Sequence, residues 1–424
     1  MENLAFFSTS RKGRRLLIAG TFLVFVLFIG MPLVRASAYV KLATISIPMA
    51  AGDVDIAWVD PSSHMFYVAD RLTHGIDMID TTNNTFLGTI VGFVGDKAGS
   101  RRGPNGVMVI ADRNELWAGD GDSTVKVVDL TTRSVVATIP TGGTGRANDV
   151  AYDPADGFVL VGNDQDKVPF ETFISVTTRT IVGKMMFTNY TGLQQTVWNP
   201  ADGLVYMSVP GTSTNPGGEV DVINPKSMKL VQVYPLPKNY NPNGMALGPN
   251  QQLLLVQSPE GLKANGWAET IVMNATNGKI VATIPQVGGG DQVWYNPGDN
   301  RFYIGANQMT ADGSSSAPEV CVVGVVDAET DVWVENIPTG CASSLAADPS
   351  NNHLFVPESG VGVSVYADIV SLNEQVNSIS SQLSTLDALR DQISTLTTVA
   401  YVAAALAVLS LAVALVSSRK SKRT

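Results

Sequence analysis

One phrase returns seven times in this chain: a short apolar run, a tight turn usually opened by Asp-Pro or Asn-Pro, and a second apolar run. Asp60-Pro61-Ser62-Ser63-His64 leads into Met65-Phe66-Tyr67-Val68. Asp153-Pro154-Ala155-Asp156-Gly157 leads into Phe158-Val159-Leu160-Val161, and Asp348-Pro349-Ser350-Asn351-Asn352 into Leu354-Phe355-Val356. Asn199-Pro200, Gly248-Pro249 and Asn296-Pro297 open three more copies, and Ile110-Ala111-Asp112 a degenerate one. The copies begin at 60, 110, 153, 199, 248, 296 and 348, a period of 43–52 residues. Each continues through a third alternating run, a polar turn and a fourth run, as in 124–129 and 135–140. Four short strands per repeat at this spacing predict an all-β fold, the seven-bladed β-propeller. A helical repeat would show a 3.6-residue period and few Gly-Pro turns.

The count closes on itself. The seventh copy has its third run, 361–366, but no fourth. The unmatched run stands at the other end, 40–48, and resembles the fourth runs, above all Val136-Ala137-Thr138-Ile139-Pro140. The expectation is an N-terminal strand around 42–47 paired to 361–366, closing the ring and covering an open sheet edge.

These residues resemble the YVTN-type seven-bladed propeller family. The matching features are the Asx-Pro turn, the aromatic-Val strand of Phe66-Tyr67-Val68, and the Val-Ala-Thr-Ile-Pro strands. The likeness covers about 39–367. It implies the fold; for activity it implies a range running from lactonases to extracellular scaffolds and binding proteins.

The flanks read as membrane segments. Arg14-Arg15, an apolar run over 16–34 and Ala36-Ser37-Ala38 form a signal peptide over 1–38, or an uncleaved anchor. Residues 397–418 carry no charge, are long enough to cross a bilayer, and precede the basic tail 419–424. The positive-inside rule puts that tail in the cytoplasm and the propeller outside, on the plasma membrane. Residues 39–396 hold 19 Lys+Arg against 37 Asp+Glu, which excludes non-specific nucleic-acid binding. Between propeller and span, 368–396 lacks Gly and Pro. Ile369, Val376 and Leu383 fall seven apart, as do Leu372, Ile379, Leu386 and Ile393. This a/d pattern reads as a helical stalk: a coiled coil that joins copies, a helix lying on the propeller's underside, or a monomeric stalk.

Outside the cytoplasm, Cys321 and Cys341 are a candidate disulfide, with two free thiols as the other reading. Asn83, Asn189 and Asn274 stand in glycosylation sequons.

Binding signals gather on one face. The segments 209–218, 257–268 and 305–318 all read as long loops joining second and third strands, and 91–103 enters the second blade on the same side. Long loops on a compact repeat fold usually bind something. Five residues before each repeat start stand Asp55, Asn105, Asn148, Gln194, Asn243, Asp291 and Ser343, a polar ring at the channel mouth. Asp149, Gln195, Gln292 and Ser344 adjoin it. Three readings fit the ring: water-bridged strand entries, a polar organic ligand, or Ca²⁺ held by Asp55, Asn105, Asn148, Asn243 and Asp291. The chain has three His and no zinc spacing, nucleophile elbow or phosphate loop. The leading functional expectation is a membrane-anchored cell-surface module that binds a surface protein, a glycan or a small polar ligand. The alternative is a metal-dependent hydrolase of the lactonase kind at the channel mouth.

Overall fold

The computed structural model describes residues 38–48, 54–95 and 102–421. The signal-peptide expectation falls on residues outside this range. Among the described residues, 28 strands form seven four-stranded antiparallel sheets. Each sheet is one blade, and its first strand is innermost. The first blade is Val54–Asp60, Met65–Asp70, Gly75–Asp80 and Thr85–Val91.

The repeated turn has a physical basis visible in the hydrogen bonds. The opening Asx side chain accepts from the backbone two residues on: Ser62 N to Asp60 at 3.1 Å, Ala155 N to Asp153 at 2.9 Å, Ala201 N to Asn199 at 3.0 Å, Ser350 N to Asp348 at 2.9 Å. Proline next to it presets φ for the turn. The last turn residue is left-handed in all seven copies: His64, Asn114, Gly157, Gly203, Gln251, Asn300 and Asn352. Gly and Asn tolerate that region best, which is why they dominate the position.

Burial follows the blade. Second and third strands are covered on both faces, as in Phe158–Asn163 and Phe170–Ser175, because neighbouring blades pack against each. Fourth strands alternate, as in Thr180–Met186. Every blade shows a register shift between its third and fourth strands. Such bulges add twist and blunt an outer edge that would otherwise recruit another strand.

The ring closes as expected. Tyr39–Ile45 pairs antiparallel with Gly362–Asp368, setting Tyr39 opposite Asp368 and Ile45 opposite Val363. Phe66 of the first blade and Phe355 of the seventh stack at 5.3 Å across the joint.

One loop is shorter than the sequence suggests. In the sixth blade the strands Arg301–Thr310 and Glu319–Asp327 extend as a hairpin, so the connection is 311–318 instead of 305–318. The 258–269 connection carries a short helix, α1 (Pro259–Asn265), capped by Ser258, which accepts from Gly261 N. Cys321 and Cys341 are disulfide-bonded, with Cα atoms 4.9 Å apart, tying the sixth blade's third strand to the approach to the seventh.

After the last strand the chain continues as one helix, α2 (Ile369–Ser421), of 53 residues. Its stretch Val376–Leu411 is long and apolar enough to cross a membrane, and none of it is buried against the propeller. Stalk and span are therefore one continuous helix.

Candidate functional site

Topology assigns the two faces. First and third strands run from the loop face to the turn face, so Gly362–Asp368 ends beside Leu354, at the turns. Tyr39 starts there too, opposite Asp368. The chain after Asp368 therefore leaves the propeller on the turn face. The connections 210–218, 258–269 and 311–318 lie on the opposite face, with the channel mouth at its centre.

The mouth holds a polar cavity of about 310 Å³. Of the ring expected from sequence, Asp55, Asn148, Gln194, Asp291 and Ser343 line it. Asn105 and Asn243 instead stitch neighbouring blades. Asn105 Nδ2 donates to Ala147 O at 2.9 Å, and Asn243 Nδ2 to Gly290 O at 3.3 Å and Asp291 Oδ1 at 3.2 Å.

The side chains that set the cavity's charge are ones the ring pattern does not include. Arg71, Arg102 and Arg146 line it, together with Gln165 and Asn307. Arg71 comes from the turn between the first blade's second and third strands, and is 3% exposed. Its Nη2 donates to Asp55, and to Asn105 Oδ1 at 2.8 Å. Arg146, on the approach to the third blade, grips Asp164 with two bonds of 3.2 and 2.9 Å and lies 4.0 Å from Asp55. Arg102 makes no ion pair with any described residue. Arg71 Nε, Gln292 Oε1 and Asn307 Oδ1 are buried without hydrogen-bond partners.

Burial sets the protonation here. It pushes the Asp291 carboxyl up to about 7, with the Asp55 charge adding to it. It pushes Asp149 well above the usual carboxylate range, reinforced by Asp55 and Asp164. Glu171, behind Asp149, is raised by burial and then by Asp149. Burial alone would lower Arg146, but Asp164 and Asp55 more than offset it.

This donor set does not fit calcium. Ca²⁺ takes 6–8 oxygens, several of them carboxylate. Asp55 is already committed to Arg71, and Asp291 is half-protonated near neutrality. Three guanidinium groups at one mouth repel a divalent cation. Among the described residues, no group of three or more His, Cys, Asp or Glu side chains is placed to hold a metal.

Next to the mouth a second polar tier stitches the inner strands together. Gln195 Oε1 accepts from Met245 N at 2.9 Å, and its Nε2 donates to Val293 O at 3.3 Å. Ser344 Oγ accepts from Ala57 N at 2.8 Å. Beyond it lies a cavity of about 550 Å³, lined by Trp58, Trp198, Trp294, Met108 and Met245 among others, and reaching the turn-face prolines Pro61, Pro154, Pro297 and Pro349. Trp58 and Trp294 meet edge to face at 5.3 Å across the channel. Of the sequons, Asn83 and Asn189 are exposed; Asn274 is half-buried, its side chain accepting from Thr276 N and Asn277 N.

The protein is thus a seven-bladed β-propeller followed by a helix able to span a membrane. No family model matches the sequence, and no curated protein matches it. Among solved structures it is similar to the hydrazine synthase of Kuenenia stuttgartiensis, with a TM-score of 0.62 and 15% identity over 77% of this chain and 98% of that one. At that identity the likeness establishes the fold, and function rests on the site.

Proposed function

We propose that this chain is a membrane-tethered binding module whose propeller stands outside the cytoplasm and presents its loop face, with the polar mouth, away from the bilayer. The observation that carries this reading is the placement of Tyr39 and Asp368 as direct partners on the turn face. The tether then leaves opposite the long connections. The Cys321–Cys341 disulfide supports an oxidising compartment. The basic residues after 418 support a cytoplasmic tail. The motifs resembling YVTN-type propellers agree with a cell-surface role.

The exposed heptad positions Val376, Ile379, Leu383, Leu386 and Ile393 support pairing of the stalk with a second copy of itself. Nothing in the cavity favours the metal-dependent hydrolase.

The test is protease shaving of intact cells that express the full chain. Release of the propeller, with a protected C-terminal fragment, is the expected result. A propeller cleaved only after the cells are opened overturns the topology.

A further inference from the structure

The mouth cavity sets positive charge inside an acidic protein. Three guanidinium groups converge there, and the carboxylates of Asp55 and Asp164 pair with only Arg71 and Arg146. Arg102 makes no ion pair with any described residue, and Arg71 Nε is buried without a hydrogen-bond partner among them. A buried donor without a partner costs stability, and a charged one costs more. An anion at this point satisfies both groups through charge-assisted bonds.

The rest of the wall narrows the class. Beside the arginines it carries five amides, the Ser343 hydroxyl, Val54 as its one apolar residue, and two carboxyls: Asp55, paired with Arg71, and Asp291, whose charge burial suppresses. Gln292 Oε1 and Asn307 Oδ1 are buried acceptors that lack donors. Inorganic phosphate brings oxygens for the arginines but, at neutral pH, only one or two P–OH donors for these acceptors, fewer than a polyol carries. A ligand with both a carboxylate and hydroxyl groups serves all of them. The volume of about 310 Å³ is at the small end of the ~300–1,000 Å³ range of ligand sites, which suits about one sugar ring.

We propose that the channel mouth binds a hydroxylated carboxylate of the sugar-acid class, its carboxylate between Arg71 and Arg102 and its hydroxyls on Gln292 and Asn307. The same chemistry occurs in a free sugar acid and in the terminal residue of an acidic glycan. This site stands on observations separate from those behind the tether, so its failure would leave the topology untouched.

The test is calorimetric titration of the full chain in detergent micelles with galacturonate, galactose, digalacturonate and inorganic phosphate. Galacturonate should bind at least tenfold more tightly than galactose, and more tightly than phosphate. Arg102→Gln, which breaks no ion pair among the described residues, should weaken galacturonate about tenfold to a hundredfold, the worth of one charge-assisted contact. Its melting temperature, measured alongside, should match that of the unmutated protein. Asn307→Ala should weaken galacturonate while leaving phosphate unchanged. Tighter binding of digalacturonate than of galacturonate assigns the glycan terminus, and the reverse assigns the free acid; both support the site. Absence of galacturonate binding, equal binding of galactose, tighter binding of phosphate, or an unchanged affinity in Arg102→Gln overturns it.

Discussion

Arg71 holds the Asp55 carboxylate and, through the same nitrogen, the side-chain oxygen of Asn105 at 2.8 Å. Asp55 enters the first blade and Asn105 the second, so one guanidinium knots two blades at the mouth. It also removes from the ring the carboxylate that a cation would need most.

Asp55→Asn therefore acts on more than one group. Arg71 keeps its charge but faces neutral partners only. The expected cost is about 1–3 kcal/mol, below that of breaking a wholly buried pair because Asp55 keeps some solvent contact. Asp55 also raises both Asp149 and Asp291. The variant should thus titrate Asp291 below 7, and infrared titration of the carboxyl band is the check. An Asp291 titration that stays near 7 would show that burial acts without Asp55.

Calcium should do nothing to the unmutated protein. Ligand binding to the folded state raises stability by about 2.7 kcal/mol at a hundredfold excess over Kd. Melting curves of the full chain in millimolar calcium and in chelator should coincide. A higher melting temperature in calcium would restore the metal reading of Asp55 and Asp291.

Asp291 gives the protein a pH dependence of definite sign. Its carboxyl titrates near 7 when folded, against about 3.9 in an unfolded chain. Asp55 and Glu260 raise it, and Arg146 and Arg71 lower it, while burial dominates. Below about pH 4 both states hold the proton and the group contributes no difference. Between about 4 and 7 the folded state keeps a proton the unfolded state has lost, so stability falls as pH rises; above 7 the loss is complete. Asp291→Asn removes this titration. Its melting temperature should gain on the unmutated protein between pH 4 and 7, then keep a constant lead. Asp77 and Asp221 also titrate near 7 and are present in both proteins, so they cancel in the comparison. A lead that does not change with pH would refute the assignment to Asp291.

Gly203 tests the turn rule. Its φ is +70°, and a Cβ there would meet nothing within 4 Å. The cost of Gly203→Ala is then conformational, about 1 kcal/mol. Gly203→Asn should cost less, since Asn fills the equivalent place in three other blades. Denaturation midpoints of the two variants should order accordingly, and equal midpoints would count against a backbone origin.

That same rule makes the fold legible in the sequence. An Asx cap, a proline and a left-handed closing residue act within five positions, so each blade announces itself locally. The closing strand was legible because residues 40–48 match the fourth runs and the seventh repeat lacks one. The ring was legible as an offset from the repeat, and five of its seven members line the cavity. The arginines were not. Arg71 comes from a second-to-third-strand turn, and Arg102 and Arg146 from blade approaches, with no common offset among them. Charge converging from unlike loops leaves no period to count. The sixth-blade hairpin was missed for a related reason: its strands extend through Gln308 and Thr310, polar residues that read as loop.

The disulfide offers the last test. Cys321 and Cys341 close a loop with a sequence separation of 20. In the chain-entropy account a loop of that size, when cross-linked, restricts the unfolded ensemble by about 3 kcal/mol. The bond also joins the sixth blade to the approach to the seventh, next to the blade closed by Tyr39–Ile45. Replacing both cysteines with serine should lower stability by about 2–4 kcal/mol, read from the denaturant midpoint at unchanged slope. Reductant should bring the unmutated protein down to the level of the variant and leave the variant where it is. If reductant lowers both proteins equally, its effect does not pass through this bond. If the variant matches the oxidised protein, the bond adds nothing to a ring already closed by its N-terminal strand.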